Sequence, residues 1–360
     1  MTATMTWVGL DVHARSTHAA ALDRESGELT RARFGAGADP VVEWLRELPQ
    51  PIHGCYEAGP TGYALYRAAA AAGLRVDVVA PSKTPRAAAD RIKSDRKDAE
   101  LLVRLLLAGS LTAVAVSPAS FEAARDLARA REQVRVDLAR LRHRVSKLLL
   151  RYGRVYDDGG TWTQAHRRWL AAQRFEHVPT ELAYLDALAA IDGLLARRAA
   201  LDERLSLLAT EPEHRPTVAR LRCFRGIETL SALVLHLEVG DFGRFQRPGQ
   251  LAAWLGLVPS LHQSGESETR GPITKTGSGY ARRILVEAAW HYLREPRIGL
   301  TLRDRQAGQP DHLLQIAWRA QHRLYRLHKR LRARGKPANV VTVAVARELV
   351  CFLWAAAVAE

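Results

Sequence analysis

The sequence predicts an α/β domain at the N-terminus, a pair of long helices in the middle and a mainly α-helical C-terminal part. Three observations carry this. Residues 1–115 interleave short runs of period two with runs of period 3.6. From about Pro118 the apolar residues fall into a heptad stripe. From about Pro216 the chain reads as short helices joined by Gly and Pro. At 360 residues the chain exceeds the usual size of one core, and the boundaries fall at 1–115, 116–212 and 213–360.

The elements follow in order. "TWVGLDV", "THAAALD" and "LTRARF" alternate as strands do and are separated by the turn-like "HARS" and "RESGE". They predict three antiparallel strands. "DPVVEWLREL" then reads as helix, "IHGCYEAG" as extended, "GYALYRAAAAAG" as helix and "RVDVVAP" as extended. "SDRKDAELLVRLLLAG" is a helix that stops at Gly109. A three-stranded meander followed by α/β units is the order of a ribonuclease H-like fold.

In the middle region Leu127, Arg131, Val134, Leu138, Leu141, Val145 and Leu148 alternate spacings of four and three, the seam of a coiled coil. A second stripe runs through Tyr184, Ala187, Ile191, Leu194, Arg198, Leu201, Leu205 and Leu208. Each holds one Arg where an apolar residue is expected, a device that sets register. The two helices are expected to pair, within or between chains. Further on, "LRCFRGIETLSALVLHLEVGDFGRF" resembles a helix–hairpin–helix with Gly226 in its turn. Such a turn presents backbone amides to a phosphate, and equally serves as a plain packing turn.

Charge restricts the partners. Lys and Arg number 53 against 38 Asp and Glu, a net charge of +15. Residues 1–115 hold 14 basic and 13 acidic residues, so nearly all the excess lies beyond Ala115. A near-neutral first part and a basic remainder fit a catalytic region attached to a nucleic-acid-binding one. Gln315 to Lys336 contains eight basic residues, among them Arg319, Arg323, Arg326, Lys329 and Arg330, and no acid. They are interleaved with Trp318 and Tyr325 in a basic amphipathic helix. Cys55, Cys223 and Cys351 are odd in number and far apart, which argues against a disulfide framework or a zinc site and for a reducing cytoplasm. "MTATMTWVGLDVHARS" has no signal-peptide pattern, and "LLVRLLLAGSL" is too short and too charged to span a bilayer, so no export or membrane insertion is expected.

Four acids carry the chemistry. Asp11 ends the first apolar strand, where a polar residue is costly without a partner. Glu57 ends the fourth. In a ribonuclease H-like sheet these strands are neighbours, so both carboxylates emerge at one edge. Asp95 and Asp98 share one face of the following helix. Four converging carboxylates need cations, and oxygen ligands favour Mg²⁺ or Mn²⁺, which in pairs serve phosphodiester cleavage. The plainer reading of Asp95 and Asp98 is that they favour the helix N-terminus and pair with Arg96 and Lys97.

The blocks "VGLDVHARSTHAAALD", "YEAGPTGYALYRAAAAAGLRVDVVAPSKTPRAAADRIKSDRKDAELL" and "LAAWLGLVPSLHQSGESETRGPITKTGSGYARRILVEAA" resemble the insertion-sequence transposases with a DEDD, RuvC-like domain, the bridge-RNA-guided recombinases. The resemblance covers nearly the whole chain. It implies a RuvC-like catalytic domain whose tetrad is Asp11, Glu57, Asp95 and Asp98, and a C-terminal transposase domain whose nucleophile matches Ser264 in "GLVPSLHQSGES". From the residues alone Ser264 is not separable from Ser260, Ser267 or Ser278. Arg270, Lys275, Arg282 and Arg283 are candidates to grip flanking phosphates, with a basic surface as the plain alternative. The implied partners are double-stranded donor and target DNA, a structured guide RNA and a second copy of the chain, the dimers joining as a tetramer in the synaptic complex. A RuvC-like nuclease or junction resolvase using water as nucleophile, and a non-catalytic nucleic-acid-binding protein, are the competing expectations.

Overall fold

The computed structural model describes residues 5–85, 95–265 and 267–359, without the side chains of Asp95, His262, Ser264 and Glu268. The chain divides into two compact units, Met1–Ser117 and Pro118–Glu360.

The first unit is built on a five-stranded sheet of order β3-β2-β1-β4-β5. Its strands are β1 (Thr6–Val12), β2 (Thr17–Asp23), β3 (Leu29–Phe34), β4 (Ile52–Glu57) and β5 (Arg75–Val79). β1–β2 and β2–β3 pair antiparallel as the meander requires, and β4 and β5 join parallel to β1. Helices α1 (Asp39–Glu47) and α2 (Ala64–Ala71) cover one face, where Val8, Leu10, Tyr56, Val76 and Val78 bury against Val41, Leu45, Leu65 and Ala69. Helix α3 (Asp95–Leu107) covers the other through Ala99, Leu102, Val103 and Leu106. β4 is therefore packed on both sides, which is why "IHGCYE" is apolar without alternation.

In the second unit, α4 (Ala119–Arg151) and α6 (Val178–Leu208) pack against each other within one chain, bridged by α5 (Gln164–Ala172). The pair is antiparallel, since Arg131, early in α4, meets Asp202, late in α6, while Leu149 at the end of α4 joins Tyr184 near the start of α6. Val134, Leu138, Leu141, Val145, Tyr184, Ile191, Leu201 and Leu205 of the expected stripes are buried. At the end of α4 the seam moves from Leu148 to Leu149, where Leu170 of α5 supplies the contact surface.

The base of this pair shares one core with the C-terminal helices α7 (Arg215–Leu221), α8 (Thr229–Val239), α9 (Pro248–Trp254), α10 (Gly279–Ala289), α12 (Asp311–Ala333) and α13 (Ala338–Val358). The short α11 (Leu300–Gln306) is tied to the α7–α8 turn by a hydrogen bond from Gln306 Nε2 to the Cys223 carbonyl, 2.8 Å. Among the described residues α13 alone is long and apolar enough to cross a membrane. Val341, Val345, Leu349 and Leu353 of this helix lie in the shared core.

One element departs from the expected run of short helices: β6 (Pro259–Ser264) and β7 (Ser267–Ile273) form a two-stranded antiparallel hairpin. Its sequence, "PSLHQSGESETRGPI", has no apolar alternation, and its described side chains from Leu261 to Arg270 are exposed. Leu261, for example, is 54% exposed.

Candidate active site

β1 and β4 run side by side with Gly9 opposite Cys55 and Leu10 opposite Tyr56. Asp11 and Glu57 come one residue later on the two strands. Because side chains alternate along a strand, Asp11 shares a face with Gly9, and Glu57 with Cys55. That face is the one α3 crosses. A Cβ on Gly9 would fall 2.2 Å from the Ala99 carbonyl oxygen and 2.8 Å from the Val103 nitrogen, so the helix backbone rests directly on the strand. The Cys55 Sγ lies 3.9 Å from the Leu102 carbonyl oxygen. Asp98 is the residue before Ala99, and Asp95 opens the helix one turn earlier. Asp11, Glu57, Asp95 and Asp98 are thus carried to one side of the sheet by two strand ends and a helix start.

Arg31 on β3 donates to Glu100 Oε1 at 2.7 Å, and Arg96 adds a contact of 3.3 Å. The Arg31 contact holds the Glu100 carboxyl below its ordinary range and ties α3 across the meander. Cys55 is pushed up to about 12 by burial, with the charges of Asp77 and Glu57 adding to it, so the thiol beside the acids is inert. His13 Nε2 sits 3.1 Å from Asp11 Oδ2. This neighbour was legible only as an i, i+2 pair in "DVH", a spacing that on a strand end puts two side chains on one face.

The donor set is all oxygen, the chemistry that suits Mg²⁺ or Mn²⁺. Among the described residues no group of three or more His, Cys, Asp or Glu side chains is gathered closely enough to hold a metal. The Asp95 side chain lies outside the described ones.

Ser264 ends β6 opposite Ser267, at the tip of the hairpin, with its backbone described and its side chain outside the described ones. Gly265, at φ +56°, makes the turn. The stem is fixed by close backbone approach: Gly277, at φ +67°, would bring a Cβ within 2.2 Å of the Trp254 carbonyl oxygen. Thr274 and Lys275 donate backbone N–H groups to Val258 and Gly256.

The candidate phosphate contacts divide. Arg282 donates to the carbonyls of Leu255 and Thr276, which clamps the hairpin stem. Arg283 is held between Glu132 of α4, at 2.7 Å, and Glu287 of α10, also 2.7 Å. Both are engaged inside the protein, a role the sequence did not separate from a surface one. Arg270 and Lys275 are exposed near the hairpin. On α12, Arg319, Arg323, Arg326, Lys329 and Arg330 are all exposed, although Arg323 pairs with Glu348 of α13 at 2.5 Å. Lys329 lies over the Tyr325 ring, 4.8 Å from its centroid.

Comparison with known proteins gives this geometry its context. Residues 8–153 match the DEDD IS110 transposase family, and residues 218–298 match the family described as Transposase IS116/IS110/IS902. Transposase y4qE of Sinorhizobium fredii is 40% identical over 98% of this chain and 88% of its own length. The transposase for insertion sequence element IS1533 of Leptospira borgpetersenii is 32% identical over 92% of this chain and 97% of its own. The transposase for insertion sequence element IS1111A of Coxiella burnetii is 27% identical over 56% of this chain and 55% of its own. With both family matches in chain order and full-length relatives of this name, the chain belongs to the IS110/IS116/IS902 family of transposases, enzymes that cleave and rejoin DNA.

Proposed function

We propose that the enzyme moves an insertion sequence by a covalent route in which Ser264 attacks DNA phosphorus beside an acidic site made by Asp11, Glu57, Asp95 and Asp98. The observation that supports this reading is the pairing of β1 with β4, which brings the strand ends of Asp11 and Glu57 side by side, with the start of α3 on the sheet face where Gly9 lets that helix lie against β1. The strand order β3-β2-β1-β4-β5 supports a ribonuclease H-like, RuvC-like assignment of residues 1–115. Residues 116–212 act as the dimerising coiled-coil region, and residues 213–360 as the transposase domain that presents the serine.

Asp11, Glu57, Asp95 and Asp98 would hold Mg²⁺ or Mn²⁺, which when bound withdraws charge from the phosphate oxygens. The serine Oγ forms its bond to phosphorus as the bond from phosphorus to one strand oxygen breaks. The hydroxyl proton ends, directly or through water, on that departing oxygen. The phosphoester is conserved in the Oγ–P link, so the reverse attack by a strand hydroxyl rejoins DNA without ATP. Sequence choice is assigned to base pairing within a structured guide RNA held on the basic second unit. The site works in the cytoplasm, on double-stranded donor and target DNA, in a tetramer of two dimers.

The test is the protein–DNA adduct. In Mg²⁺ with guide RNA, wild-type protein should yield DNA covalently bound to protein. Ser264→Ala and Asp11→Asn should each lose it by at least a hundredfold while binding nucleic acid normally. Cleavage that persists in Ser264→Ala without any adduct would turn the reading to a water-using RuvC-like nuclease.

A further inference from the structure

A cavity of about 390 Å³ opens between the α7–α8 turn and the α10–α11 connection, lined among others by Arg225, Gly226, Glu228, His291, Arg297 and Arg305. The turn is drawn there by Gly226, at φ +80°: a Cβ would fall 2.8 Å from the Ala288 carbonyl oxygen and 3.0 Å from His291 Cδ2. Arg225 is fixed by Nη1, which donates to the carbonyls of Arg294 (3.3 Å) and Glu295 (2.8 Å).

Arg305 is the deepest of these cations. Its side chain is 8% exposed and Nη1 is paired with Glu228, a residue itself 67% exposed. Its Nε is buried and has no partner among the described residues. The Tyr292 hydroxyl, buried and also without a partner among the described residues, lies close enough to feel the charges of Arg225 and Arg305. Three arginines and a histidine therefore line the cavity with one carboxylate, Glu228, so donors exceed acceptors. A buried donor left unmet is destabilising, so the arrangement favours an anion with several acceptor oxygens.

We propose that this cavity is a phosphate-ester site that seats one phosphate of the nucleic acid the enzyme handles. The inference rests on the transposase reading, because that activity brings phosphate esters to a strongly basic unit. Forked Arg donors match the tetrahedral phosphate oxygens, and the volume admits a phosphate with its sugar. Burial, with the charges of Arg225 and Arg294, holds the His291 imidazole below its ordinary value, so the cavity disfavours further positive charge. A contact to phosphate positions a strand without choosing its sequence.

The experiment measures binding of the full-length protein to two duplexes of one sequence, a closed dumbbell with only internal phosphates and a linear form with 5′-phosphates, over a range of salt. Arg305→Gln and Arg297→Gln should each weaken binding three- to tenfold and lower the slope of log K against log salt by about one. Loss on both probes assigns a backbone phosphate, and loss only on the linear probe a terminal one. Arg305→Gln also removes the partner of Glu228. If it unfolds, Arg297→Gln decides alone, because that guanidinium makes no hydrogen bond among the described residues. Wild-type binding with unchanged affinity and slope in Arg297→Gln overturns the site and leaves the transposase reading standing. Wild-type protein that, loaded with guide RNA, binds neither probe overturns the site together with the proposal that the basic second unit holds DNA.

Discussion

At Gly9 the obstacle to a side chain is backbone, the Ala99 carbonyl oxygen at 2.2 Å, and a helix backbone cannot swing aside as a side chain can. Gly9→Ala must therefore lift α3 and with it Asp95 and Asp98. Overpacking of this kind costs about 1–3 kcal/mol, and the displaced acids should cut adduct formation at least tenfold. Thermal unfolding and adduct yield measured on the same preparation check both; wild-type values for each would mean α3 does not rest on Gly9. A second residue sets an acid limit. His236, buried beside Phe121 and His214, is lowered to about 4, chiefly by burial. Above pH 6.5 the imidazole is neutral whether folded or not. Between pH 6.5 and about 4 the unfolded chain takes up a proton that the folded one refuses, so stability is full above 6.5 and falls as pH drops toward 4. The loss is on the order of 3 kcal/mol, and His236→Leu should remove that part of the slope in urea midpoints taken from pH 7 to 4.

Among the elements, what the sequence disclosed follows from where burial is one-sided or complete. The five strands and three helices of the first unit were legible because each presents an apolar face of period two or 3.6, or the continuous run of β4. The β6–β7 hairpin was not, because strands whose side chains are mostly exposed carry no apolar pattern. That Asp11 and Glu57 end neighbouring strands and that Asp98 lies in the first turn of α3 was legible from the strand and helix patterns, whereas Arg282 and Arg283 looked like surface cations because their partners, such as Glu132, are distant in sequence. The anomalous Arg131 in the α4 seam has the same explanation, since Asp202 of α6 accepts from it at 2.6 Å, with side chains only 21% and 29% exposed. Arg131→Ala leaves Asp202 half-buried without its donor and should cost about 1.5–3 kcal/mol. Asp202→Ala in addition should recover part of that loss, and a double-mutant cycle by urea unfolding reads the coupling. Additive effects would show that the pair does not set the register.

At the scale of the whole molecule the two compact units divide the labour proposed for them, with the acids on Met1–Ser117 and the serine on Pro118–Glu360. The described side chains of the hairpin from Leu261 to Arg270 are exposed, which suits an arm proposed to complete a site on another copy of the chain. Coexpression decides whether it does so. In a mixed dimer of Ser264→Ala and Asp11→Asn proteins, sharing across protomers gives one site with an intact tetrad and an intact serine, and a second site with both broken. Adduct should then return to as much as half the wild-type yield, attached only to the Asp11→Asn chain, since that chain alone retains the nucleophile. If each chain supplied its own tetrad and serine, every site in the mixed dimer would lack one element and no adduct would form. Chains tagged to differ in mass identify which one carries DNA, and purified heterodimers without adduct would place both elements in one protomer.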